Sequence, residues 1–165
     1  MADSYIGIDV YVTHCCRCSH TEFHYSGTGS VRATLVCKNG FILATSTQPT
    51  TTFRDKSDHR IFEQSTTEIW AAIATAVRAC LTEARVDRST IKGLGFDATC
   101  SLAVSDEHGE PVTITKGKGL GKHGHRNVIL WADHRAEAEA QIINASGSIV
   151  LNYVGGTMSV SPSAN

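Results

Sequence analysis

Three aspartates stand where apolar stretches give out: Asp9 after Tyr5-Ile6-Gly7-Ile8, Asp97 after Leu94-Gly95-Phe96, and Asp133 after Ile129-Leu130-Trp131-Ala132. A carboxylate so placed can accept hydrogen bonds from hydroxyls, hold a hard cation through oxygen, or take a proton during group transfer. In open α/β sheets ligands gather beyond the carboxyl ends of strands, so all three could face one cleft. Each could also cap a turn or helix, which is routine for Asp, but three together favour a site.

A second concentration of reactive side chains lies in residues 11–26, YVTHCCRCSHTEFHYS, with three of the six cysteines and three of the eight histidines. His14, Cys15, Cys18, His20 and His24 are ligand types that zinc accepts. Only Cys15 and Cys18 have knuckle spacing, without a matching second pair, so structural zinc is poorly supported. The segment still allows an alternative to an enzyme: a non-catalytic metal-binding or protein-interaction module built on residues 14–24. Cys37, Cys80 and Cys100 are scattered and read as small buried apolar residues. The basic, glycine-rich stretch Lys116–Arg126 lacks the Ser or Thr that must follow Gly-Lys in a phosphate-binding loop, and no aromatics interleave between 112 and 130. We read it as a surface loop and expect no nucleic-acid binding.

The positioning elements follow from periodicity. Tyr5–Val10, Ser30–Cys37 and Phe41–Thr47 read as strands, the last two joined by a tight turn at Asn39-Gly40. Residues 50–64 are polar and read as a loop. Ser65-Thr66-Thr67-Glu68 has the capping-box pattern, and Ile69, Ile73, Ala76, Val77, Cys80, Leu81 and Ala84 repeat at helical steps. Ile91–Ala98 reads as a buried strand, residues 127–131 as another, and residues 135–145 as a helix. Hairpins followed by a parallel crossover make a mixed α/β domain. The 165 residues, 41% hydrophobic and 19% charged, exclude whole-chain disorder. A net charge of −1 supplies no general field for nucleic acid or anionic lipid. With neither a membrane-length apolar run nor a signal-peptide start, we expect a cytoplasmic protein without membrane partners.

With residues 11–26 set aside, the flanks join as YIGIDV–GTGSVRA: a strand bearing a carboxylate, a glycine and hydroxyl turn, and a returning strand. Such a turn offers backbone N–H groups and hydroxyls to a phosphate. This joined stretch resembles the first phosphate motif of the FGGY carbohydrate kinase family, in its ribulokinase-like, pentulose kinase branch. Residues 65–70 (STTEIW), Gly93–Leu102 (GLGFDATCSL), Arg126–Ala136 (RNVILWADHRA) and Asn144–Gly156 (NASGSIVLNYVGG) match in the same order. Outside the insert and the last few residues, the resemblance covers nearly the whole chain.

The resemblance implies a ribonuclease-H-like (actin-like ATPase) domain over residues 1–158, incomplete and interrupted by the insert, with an irregular tail at 159–165. It implies an ATP- and Mg2+-dependent transfer of the γ-phosphoryl group to a sugar hydroxyl, with a ketopentose such as ribulose as substrate. By position Asp9, Gly27, Thr28, Gly29, Ser30 and Arg32 would face the ATP phosphates, with Asp9 holding Mg2+ through water. Asp97, Ala98, Thr99, Trp131 and Asp133 would line the sugar pocket, Trp131 as an apolar wall and Asp133 as an acceptor for sugar hydroxyls. The family's aspartate base and carboxyl-terminal domain are expected beyond Asn165, so these residues alone should show negligible kinase activity. The insert keeps the reading frame and fits the translation of an unspliced intron.

Overall fold

A computed structural model of the chain describes residues 3–12 and 29–159. The described residues divide into two compact units, one formed by those up to Thr52 with Gln64–Thr99, the other by Phe53–Glu63 with those from Cys100 on.

In the first unit, β1 (Ser4–Val12), β2 (Gly29–Cys37) and β3 (Ile42–Thr50) form an antiparallel meander. The Lys38-Asn39-Gly40 turn closes the second hairpin, with Gly40 at φ 85°, a conformation that suits only a residue without Cβ strain. After helix α1 (Thr66–Ala84) the chain crosses over and lays β6 (Ile91–Ala98) parallel to β1, giving the sheet order β3-β2-β1-β6. The first two strands thus lie side by side, as the joined motif requires. The ladder between them runs on through Tyr11 and Val12 to Ser30 and Gly29, so the strand extends two residues into the segment expected to be foreign. Strand β3 also runs further than expected, through Pro49 to Thr50; its outer position in the sheet tolerates a residue that cannot donate to a ladder.

Alternation decides what is buried. Ile6 and Ile8 of β1 and Val31, Ala33 and Leu35 of β2 face Ala72, Ile73, Ala76 and Cys80 of α1, forming the core of this unit. Ser65 caps α1 by accepting from the Glu68 N–H. The other half of the capping box is not formed: Glu68 turns to Thr51 instead, its Oε1 accepting from that residue's N–H at 2.9 Å and hydroxyl at 2.7 Å. The helix lies mainly across β2 and β3 and leaves β6 beyond Ile91 largely exposed. Strand β6 is therefore not buried as expected. Leu94 and Phe96 are each 57% exposed, and Trp70 of α1 meets Phe96 edge-on at 6.1 Å.

The second unit holds a small sheet in the order β4-β5-β8-β7: β4 (Phe53–Arg54), β5 (Phe62–Gln64, whose last residue is counted with the first unit), β7 (Leu102–Ala103) and β8 (Val128–Ile129). Two of these strands lie in the stretch read as a loop, and β8 is shorter than the expected 127–131. Helix α2 (Glu137–Ala145) begins two residues later than expected. The glycine-rich stretch is exposed, as expected of a surface loop. It is tied down by Thr113 N–H to Lys122 O at 2.8 Å and Ile114 N–H to Arg126 O at 2.9 Å.

Of the scattered cysteines, only Cys80 is fully buried; Cys37 is partly covered and Cys100 exposed. Burial pushes the Cys80 thiol up, and it donates to Ala33 O at 3.2 Å. An aromatic disulfide reagent followed by mass mapping should modify Cys100 within minutes at pH 8 and leave Cys80 unmodified until the chain unfolds. Ser65→Ala should cost about 1 kcal/mol, seen as a lower urea midpoint with an unchanged slope.

Candidate phosphate and sugar site

The sheet face turned away from α1 carries the polar residues of the opening motif. Register puts Arg32 of β2 opposite Asp9 of β1, and Asp9 opposite Asp97 of β6, so three charges form one row across three strands. The next row is Thr34, Gly7 and Gly95. A Cβ added at Gly7 or Gly95 would meet nothing within 4 Å, so these positions leave open floor beside the charges. Together they line a solvent-open depression of about 370 Å³, within the range of small-molecule sites.

Charge gives this row a preference. Like charges directly opposite on neighbouring strands repel, and Arg32 stands on only one side of the carboxylate pair. The row therefore favours a further cation near Asp9 and Asp97, and hard carboxylate oxygens suit Mg2+. Arg32, beside it, carries a guanidinium, a planar group of the kind that pairs with phosphate oxygens. The donor set thus fits a magnesium-phosphate group.

Asp9, Arg32 and Asp97 are brought together. Gly29 and Ser30 open β2, two and one residues before Val31, the partner of Val10, and so lie at the end of the strand pair just past Asp9. Ala98 closes β6, and Thr99 N–H continues the ladder to Val10 O at 3.2 Å, placing Ala98 and Thr99 just past Asp97 and exposed. Gly27, Thr28 and the candidate metal ligands His14 to His24 lie outside the described residues. Among the described residues no group of three or more His, Cys, Asp or Glu could hold a metal ion.

Trp131 and Asp133 belong to the second unit. Trp131 sits in a turn closed by Asp133 N–H to Leu130 O at 2.9 Å. Asp133 is 4% exposed and its carboxylate is heavily engaged: Oδ2 accepts the Phe62 N–H at 2.8 Å, and Oδ1 the Arg135 N–H at 2.9 Å. The Arg135 guanidinium grips Asp133 through Nε and reaches Glu63 Oε1 at 2.9 Å; Thr115 donates to Glu63 Oε2 at 2.7 Å. Glu63 and Arg135 were not singled out from the sequence. The glycine floor was missed too, although Gly93 and Gly95 alternating inside a strand are a signal of close approach.

Burial pushes the Asp133 carboxyl up, but the Arg135 guanidinium and the Phe62 and Arg135 N–H groups pull it down by more, to below the usual carboxylate range. A lowered carboxyl stabilises the fold fully above its ordinary value near about 3.9 and loses that contribution as pH falls through the folded value. Removing Arg135 would strand two buried carboxylates, a situation that costs roughly 3–5 kcal/mol. Urea unfolding followed from pH 5 down to pH 2 should show declining stability, with a shallower decline in Asp133→Asn.

A family model described as "FGGY family of carbohydrate kinases, N-terminal domain" matches residues 26–155, beginning where the Cys/His-rich segment ends. A human protein, "FGGY carbohydrate kinase domain-containing protein", is 40% identical over 156 residues, covering 94% of this chain and 24% of its own length. A D-ribulokinase of Saccharomyces cerevisiae is 38% identical over 160 residues, covering 96% of this chain and 19% of its own. The chain thus spans about a quarter or less of these relatives. Among solved structures, xylulose kinase from Rhodospirillum rubrum superposes with a TM-score of 0.61 at 18% identity, over 86% of this chain and 23% of that one. That likeness shows the fold, the ribonuclease-H-like fold of the actin-like ATPases. With four fifths of its length matched, the chain belongs to the FGGY family of carbohydrate kinases, within the amino-terminal domain.

Proposed function

We propose that this chain is the phosphate- and sugar-facing part of a cytoplasmic, ATP-dependent kinase that phosphorylates a ketopentose such as ribulose. The observation that carries this is the Arg32–Asp9–Asp97 row on the open sheet face, in a chain of the carbohydrate kinase family. The similarity to a D-ribulokinase supports the choice of sugar. Among the described residues no helix is long and apolar enough to cross a membrane.

Asp9 would hold Mg2+ through water, and Gly27, Thr28, Gly29, Ser30 and Arg32 would meet the ATP phosphates. When bound, the metal neutralises charge on the phosphoryl group to be transferred. Asp97, Ala98 and Thr99 would orient the acceptor sugar, with Trp131 as its apolar wall. Given the bonds Asp133 already makes, we propose that it holds the Trp131 turn rather than accepting sugar hydroxyls. The contribution of these residues is positioning and charge, which dominate phosphoryl transfer.

The test is a chimera with residues 11–26 deleted and the carboxyl-terminal portion of a family member appended, assayed for ATP consumption against ketopentoses and polyols. Turnover is expected with D-ribulose, falling about 100-fold or more in Asp9→Ala, as loss of an electrostatic contact in the transition state does. The 165-residue chain alone should show none. Failure of the chimera with every sugar would overturn the assignment.

A further inference from the structure

Trp131 is the middle of a turn whose two ends hold one residue of another strand. Leu130 N–H donates to Phe62 O at 3.1 Å, and Asp133 Oδ2 accepts from Phe62 N–H at 2.8 Å, so both polar groups of the Phe62 backbone are engaged by the turn. Next to it, His134 N–H donates to Arg60 O at 2.9 Å. Arg135 locks this clasp from the side. Its Nε lies 2.9 Å from both Asp133 oxygens, Nη2 2.6 Å from Asp133 Oδ2 and 2.9 Å from Glu63 Oε1, and Nη1 3.1 Å from Ile114 O. Glu63 is 1% exposed and is held further by Thr115. One guanidinium therefore ties together the strand that holds the turn's partner Phe62, the loop at Ile114 and the turn itself.

On the reading that Trp131 walls the sugar pocket, we infer that Arg135 and Glu63 are positioning residues for that wall: they act through Asp133 to fix the turn that presents Trp131. The chemistry demands an arginine. Five donors in a rigid plane satisfy two buried carboxylates and a carbonyl at once, and a lysine ammonium on a flexible stem cannot match that geometry. Two carboxylates against one cation also make the cluster intolerant of a loosened grip, since any released carboxylate is left buried and charged.

The chain has two tryptophans, and Trp70 is 60% exposed on α1, so Trp70→Phe leaves Trp131 as the only indole emitter. In that background the full chain carrying Arg135→Lys is compared with its parent, under conditions where far-ultraviolet circular dichroism shows both folded. We expect acrylamide quenching of Trp131 to rise at least twofold in Arg135→Lys. Quenching of Trp131 by D-ribulose, where the parent shows it, should need at least tenfold more sugar. Glu63→Gln, which keeps shape and removes one charge, should move both readouts in the same direction by less, and it decides the matter if Arg135→Lys does not fold. A folded variant with unchanged acrylamide quenching of Trp131 would overturn the inference, leaving the cluster a source of stability only. If the parent responds to no ketopentose while acrylamide quenching still rises in the variant, positioning of the turn stands and the sugar assignment of Trp131 fails.

Discussion

The candidate site depends on the register of β1, which pairs antiparallel with β2 on one side and parallel with β6 on the other. Side chains on a strand alternate with a period of two, so a slip of one residue in either ladder would send Asp9 or its partners into the face covered by α1. The apolar residues Ile6, Ile8, Val31, Ala33 and Leu35 forbid that slip between β1 and β2, because burying charges in their place would be far more costly than any gain. The core thus sets part of the row: Arg32 and Asp9 are placed by the demand that their neighbours be dry, whereas Asp97, between the exposed Phe96 and Ala98, is placed by the ladder to β1.

The second unit solves a different problem. Its sheet strands are two or three residues long, too short to stabilise a sheet by pairing alone, and beside the buried Ile61, Val128, Leu130 and Ala132 it carries a cluster of buried charge. Glu63, Asp133 and Arg135 do there what an apolar stripe does in the first unit, joining segments far apart in sequence. The cation–π contact of Arg54 over Phe62, at 3.8 Å, adds to the same region. Such a construction specifies geometry strongly, because charged hydrogen bonds are directional, and it is more sensitive to acid than an apolar core.

What could be read from the sequence follows this division. Helix α1 and strand β6 were legible because their signals are local: a capping serine, an apolar residue every third or fourth position, and a short apolar run that ends in a carboxylate. Strand pairing across the Cys/His-rich segment was legible from its flanks. The exposure of Leu94 and Phe96 was not, since an apolar run says only that burial is favourable and not whether a helix reaches far enough to provide it. Strands β4 and β5 escaped because two or three polar-flanked residues carry no periodicity. Glu63 and Arg135 escaped for a deeper reason: whether a charge is buried depends on a partner 72 residues away, which no local pattern reveals.

Pro49 in β3 bears on the two rims of the first sheet. Lacking an N–H, it interrupts the row of donors along that outer strand, whereas β6, IKGLGFDA, contains no proline and among the described residues pairs only with β1. The sheet is therefore lopsided with respect to growth. A newly arriving strand would find a broken template on the meander side and a continuous one beside Leu94 and Phe96, so enlargement of this sheet, by any polypeptide, has a preferred direction built into it.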